Sequence, residues 1–194
     1  MSAVPPNSLG DIFSYREAIA AGLTRWQVYA LRDSGALIAL GGGLYRRASA
    51  PPADLDLLEI AERVPRATLC LETALVRHDL LDAIPAATDI AIPRGDHRPR
   101  LKAVHRLHQF ERSTFDIGRE LLDVGARTPI GLYSMERCLI DLVRLRHQEG
   151  SAQAWEALRR WLSRRGRSPG GLLKMAQRFK GAEAPLRAAL EVLL

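Results

Sequence analysis

Two capping boxes near the start of the chain constrain its fold more than any other feature. Ser14 is followed by Glu17 and Thr24 by Gln27. At this spacing an oxygen-bearing cap accepts from the third helical amide, and the acidic or amide side chain reaches back to the cap. Each start has a glycine stop: Gly22 ends the segment opened by Ser14, and Gly35 ends the helix over 25–34. Leu23 and Val28 are placed as a hydrophobic staple around the second start. Two helices joined by a short glycine-containing turn read as a helix-turn-helix. The runs 36–40 and 44–47 then flank Gly41, Gly42 and Gly43, the pattern of a β-hairpin. Residues 10–47 therefore predict helix, turn, helix, hairpin: a winged helix-turn-helix, forming a first domain over 1–50 that the Pro51–Pro52 linker bounds.

On the second helix Gln27, Val28 and Leu31 fall on one side, and Arg25, Tyr29 and Arg32 on the other. Arginine forks match guanine edges and phosphates, so the second face suits a major groove, with Arg25 nearest the helix start as the direct reader. Trp26 lies on the flank, either at the DNA or packed on the first helix. Arg46 and Arg47, at the exit of the hairpin, are placed to clamp a phosphate backbone or enter a minor groove. The other reading of this unit is a solvated, arginine-tipped module for protein contacts.

Beyond the linker, helices are predicted over 54–64, with Leu55, Leu58 and Ala61 inward, and over 71–78. Strands are predicted at 89–93 and 104–110, with one or two more within 115–124 and 129–132. Amphipathic helices at 134–146, 152–163, 171–179 and 184–194 close the chain. The fold class is α+β, with the winged unit followed by a second domain over 51–194 that combines a small sheet and a C-terminal helical bundle.

The formal net charge is +6, and only Lys102, Lys174 and Lys180 of the 28 cationic residues are lysine. A basic surplus permits a polyanionic partner, and arginine suits phosphate and guanine recognition, although a GC-rich genome produces the same bias. Two runs concentrate the charge: Arg94 to His108, and Arg159, Arg160, Arg164, Arg165 and Arg167 continuing to Lys180 without an acidic residue. The second run is a candidate for phosphate contacts or an acidic protein partner, against a plain solvated face. Cys70 and Cys138 sit in apolar settings and read as buried hydrophobes. No metal-ligand spacing is present, and His97, His105 and His108 read as solvated. No phosphate-binding loop, nucleophile elbow or zinc-protease motif occurs. Glu72, Glu111 and Glu120 lack the following lysine that a nuclease would want, and Asp141 is spaced to pair with Arg137 or Arg144. No cofactor and no catalytic residue is expected. No apolar run approaches the ~20 residues that span a bilayer, and residues 1–7 lack a signal peptide's features, which points to the cytoplasm.

Taken in order, several segments resemble the AbiEi family of antitoxins from two-gene toxin–antitoxin systems. They are the winged unit from Ala21 to Arg46, Leu71-Glu72-Thr73-Ala74-Leu75 with His78-Asp79-Leu80, Ile90-Ala91-Ile92-Pro93, and Ser134-Met135-Glu136-Arg137 continuing to Asp141-Leu142. The resemblance spans nearly the whole chain, and the last segment is the most specific. It implies that the N-terminal domain binds inverted repeats in its own promoter and represses transcription. It also implies that the C-terminal domain counters a nucleotidyltransferase-like toxin, in a monomer that pairs on DNA. Arg25, Tyr29, Arg32, Arg46 and Arg47 fall where the family's DNA-contacting helix and wing lie. Two other classes stay open: a regulator whose C-terminal domain senses a small molecule, and a winged-helix-fused nuclease.

Overall fold

The computed structural model describes residues 6, 8–146 and 151–194. Apart from Pro6, the expectation for residues 1–7 lies outside them. The chain forms two compact units, the first made of 1–65, 99–104 and 123–130 and the second of the remainder. The first unit thus reaches past residue 50 and takes in two later segments. The fold is mixed α+β. No helix among the described residues is long and apolar enough to cross a membrane.

In the first unit, β1 (Ile12–Ser14) leads into α1 (Tyr15–Ala20), and α2 (Arg25–Asp33) is followed by β2 (Leu37–Gly41) and β3 (Leu44–Arg47). Both capping boxes form. Ser14 N donates to Glu17 at 2.6 Å and Thr24 N donates to Gln27 at 2.7 Å, while each cap hydroxyl accepts from the third helical amide. Strand β1 had no period to reveal it, being two apolar residues and a cap. It pairs antiparallel with β3, which makes a three-stranded sheet in the order β1-β3-β2 instead of a lone hairpin. Phe13, Ala18, Leu23, Val28, Leu31, Leu37 and Tyr45 pack between this sheet and the two helices.

Helix α3 (Leu55–Arg63), capped by Asp54, belongs to the same unit. Leu57, Leu58, Ile60 and Ala61 are buried, but Leu55 is 37% exposed, because the buried stripe is set by Leu58 and not by the first helical residue. Leu58 joins Ile12, Leu40 and Leu44 in a second small core, with Val124 and Ala126 against it. Two apolar residues of the later segments thus complete the first unit.

The second unit carries β4 (Thr68–Leu69), α4 (Leu71–Arg77), β5 (Thr88–Pro93), β6 (His105–Phe110), a 3-10 turn (Arg112–Thr114), β7 (Arg119–Leu122), β8 (Ile130–Tyr133) and α5 (Met135–Arg144). Helices α6 (Ser151–Leu162), α7 (Pro169–Ala176) and α8 (Glu183–Leu193) follow. Helix α7 starts earlier than its apolar stripe suggested, because Ser168 caps it and Pro169 fits its first position. The sheet has five strands in the order β6-β5-β4-β8-β7. It is mixed: β4 runs antiparallel to β5 and parallel to β8, and β5 runs parallel to β6. Its middle strand is only two residues long, too short for any sequence pattern. The core continues from the sheet into the helices through Leu75, Phe115, Leu139, Leu158, Trp161 and Leu186.

The Ser134–Leu142 segment has a structural account within this unit. Ser134 caps α5, accepting from Arg137 N. Glu136 accepts from Trp161 Nε1 and Arg167 Nη1, both at 3.0 Å. Arg137, fully buried, donates through Nε to Asp141 at 2.7 Å and through Nη1 to the carbonyls of Thr114 and Ile117. Arg144 takes the other Asp141 oxygen at 2.8 Å. Burial raises the Asp141 pKa against the pull of both arginines. Asp141 is thus the ion-pair partner that its spacing predicts, and it meets both arginines.

Candidate nucleic-acid interface

The exposed face of α2 follows from what its other face buries. Val28 and Leu31 are 0% and 2% exposed in the first unit's core. At 3.6 residues per turn this turns Arg25, Tyr29 and Arg32 outward. Arg25 and Arg32 bracket the Tyr29 ring, their guanidinium carbons 5.5 and 4.9 Å from its centroid. Arg32 also pairs with Asp33 at 2.7 Å, and this hydrogen bond pushes its pKa further up. Trp26 is 75% exposed, so it is not packed on the first helix.

The first turn of α2 holds no acidic residue, and Arg25 is its first helical position. A cation there sits against the positive end of the helix dipole, which is locally unfavourable. Together the cation and the dipole favour an anion at this end of the helix. Arg16 on α1 is exposed and has no hydrogen-bond or ion-pair partner among the described residues. It was not among the residues singled out from the sequence, because it falls on the first helix.

The two hairpin arginines are placed differently from the expectation. Arg46 is 6% exposed, and its Nη2 donates to the Pro51 carbonyl. It lies on the middle strand of the sheet, in register with Ile12 on β1 and Ile38 on β2. Arg47 donates to the carbonyls of Pro6, Leu9 and Gly10. These guanidiniums fasten the preceding and following chain, and this corrects their assignment as DNA clamps.

The hairpin tip is also engaged. Glu59 on α3, 1% exposed, accepts from the amides of Lys102 and Ala103 at 2.8–3.0 Å and from Arg63 at 2.7 Å. A Cβ on Gly41 would lie 2.4 Å from Glu59 Oε1, and one on Gly42 would lie 2.6 Å from Arg63 Cζ. Both glycines have positive φ, and they let backbone approach these two side chains closely.

The C-terminal basic run divides in the same way. Arg164 donates to the Asp79 carbonyl at 2.8 Å and Arg167 is paired with Glu136. Arg160 pairs with Glu156 at 2.8 Å, one turn back on α6. Arg159 and Arg165 are exposed and without such a partner among the described residues. The run from Arg94 to His108 is neutralised at two of its cations, Arg94 and Arg106, while Arg98, Arg100 and Lys102 are exposed. Arg94 meets Glu111 and Asp96 meets Arg112. Arg106 donates to both oxygens of Asp89 at 2.8 Å and to Glu72 at 3.1 Å.

His108 departs from its solvated reading. Its Nε2 lies 2.9 Å from Asp89 Oδ1, and its side chain is only 15% exposed. Burial alone would raise the Asp89 pKa, but the hydrogen bonds from His108 and Arg106 outweigh it and hold the carboxyl below its ordinary value. The signal for this cluster was present in the sequence: Asp89 opens an otherwise apolar run, Ile-Ala-Ile, and a buried charge needs a partner on the next strand. Burial raises the pKa of both Cys70 and Cys138, so neither is a ready thiolate. Among the described residues no three His, Cys, Asp or Glu side chains gather as metal ligands.

No family model and no curated protein matches the chain. Among solved structures it is similar to the crystal structure of RV2827C protein from Mycobacterium tuberculosis. The identity is 17% and the TM-score 0.52, over 94% of this chain and 76% of that one. That likeness is one of fold.

Proposed function

We propose that the first unit is a winged helix-turn-helix that binds duplex DNA through α2, and that the chain represses its own promoter as an AbiEi-type antitoxin. The observation carrying the reading is the outward face of α2, where Arg25, Trp26, Tyr29 and Arg32 stand together. Arg25 reads a base edge, Arg32 and Arg16 hold phosphates, and Trp26 contributes apolar contact with sugar or thymine methyl. Promoter DNA with inverted repeats is bound by two copies of a protein that is a monomer when free. The second unit acts in the cytoplasm without catalysis and counters a nucleotidyltransferase-like toxin. In support of a non-nuclease role, the Glu72 and Asp89 carboxylates are occupied by Arg106.

The test is fluorescence anisotropy with duplex DNA from immediately upstream of the gene, measured at several salt concentrations. Specific binding whose salt slope falls by about 0.9 on Arg16→Ala supports the reading. Equal affinity for unrelated duplexes, unchanged by Arg25→Ala, overturns it.

A further inference from the structure

The helical face at the end of the second unit is open. Val143 from α5, Trp155 and Leu158 from α6, and Ala188 and Val192 from α8 line a depression of about 350 Å³, with Arg146 at its edge. Val192 is 75% exposed although it stands on this apolar wall. A second, shallower hollow shares Trp155 and Val192 and is edged by Arg159 and Arg160. Trp155 and Val192 thus line both hollows of this trough, with Arg146 in the lining of the first and Arg159 in that of the second. The carboxylate along it, Glu156, is already taken by Arg160. Arg146 donates to the Val143 carbonyl and, like Arg159, meets no carboxylate among the described residues.

We infer that this trough docks an acidic amphipathic segment of a protein partner. Its apolar side chains fill the depression between α5, α6 and α8, and its carboxylates meet Arg146 and Arg159. This is the helix-in-groove mode of recognition, in which apolar anchors give affinity and rim charges give orientation. Charge decides against a second copy of this chain, because an isologous contact would bring the same arginines onto one another. The apolar floor decides against nucleic acid, whose backbone offers phosphates and little to fill a hydrophobic hollow. Two hollows that share Trp155 and Val192 favour a stretch of chain over a compact small molecule. The inference is independent of DNA binding by the first unit.

The experiment is selection of a phage-displayed random peptide library on the full-length protein. The selected sequences should combine large apolar residues with Asp and Glu. A synthetic peptide of that sequence should bind the wild type about tenfold or more tightly than it binds Ala188→Glu or Arg159→Glu. Both substitutions are on exposed positions, so circular-dichroism melts should match the wild type, and Val192→Glu is the second groove variant. Several outcomes overturn the inference: selected peptides without acidic enrichment, binding indifferent to all three substitutions, displacement of the peptide by a fatty-acid anion or by duplex DNA, or a sedimenting dimer that Ala188→Glu dissociates.

Discussion

Helices α2 and α5 both set arginines against aromatic rings, and they use the arrangement in opposite ways. On α2, Arg25 and Arg32 bracket Tyr29 on an exposed face. On α5, the Arg137 guanidinium lies 4.3 Å from the ring centroids of both Tyr133 and Phe179, with Arg144 5.6 Å from that of Phe110. What differs is water. In solvent the ring only orients the guanidinium, and of these two Arg32 is also held by Asp33. In the interior the charge needs a counter-ion, which Asp141 supplies to both arginines, and carbonyls of Thr114 and Ile117 take Arg137 Nη1. An arginine-and-aromatic pattern is therefore an exposed cationic face or a structural bolt according to which side of its helix is buried.

The comparison breaks most visibly at Asp141. Replacing it by Asn leaves the Arg137 charge buried and uncompensated, and should lower unfolding free energy by about 3–5 kcal/mol in urea titrations. A loss below about 1 kcal/mol would mean that Arg137 is compensated by its rings and carbonyls alone. Arg25→Ala should do the reverse, reducing promoter affinity by about 1–3 kcal/mol with an unchanged urea midpoint; a shifted midpoint would make α2 structural too. Arg46→Ala sharpens the contrast within the first unit. It should cost about 1–2 kcal/mol of stability, leaving the salt slope of DNA binding as in the wild type. A slope reduced by about 0.9 would return Arg46 to the phosphate backbone.

Acid offers a further comparison. The folded pKa of Asp89 lies below its unfolded value, so its ionised form stabilises the fold above the unfolded pKa of about 3.8. That contribution is lost as pH falls through the lower folded value. Asp89→Asn should therefore flatten the acid limb of a stability-versus-pH curve below about pH 4, with no change in its shape at higher pH. The smallest effect belongs to Trp26→Ala, which should leave stability within about 0.5 kcal/mol of wild type, as for other exposed positions.

The parts of this fold that were legible are those whose cause is local. The α1 and α2 starts, the glycine stops, the β2–β3 hairpin and the Arg137–Asp141 spacing depend on residues within a few positions of one another. Strands β1 and β4 were not legible, since a two- or three-residue strand has no period and exists only because longer strands flank it. The candidate interface was legible on α2, where helical periodicity separates Val28 and Leu31 from Arg25 and Arg32. It was misread at Arg46 and Arg47, whose environment depends on β1 and the following linker. Arg16 was overlooked although its exposure follows from the same periodicity that buries Ala18.

By itself the sequence determined where helices begin and end, which α2 face is polar, and that the two cysteines are interior. Only the tertiary structure decided which charges are spent on the protein itself: Arg46 and Arg47 on backbone carbonyls, Glu59 on the amides of Lys102 and Ala103, and Arg106 and His108 on Asp89. Capping and periodicity are fixed by neighbours along the chain. The partner of a long charged side chain is fixed by whatever strand or loop folding brings beside it, often forty or more residues away, as for Glu59 and Ala103.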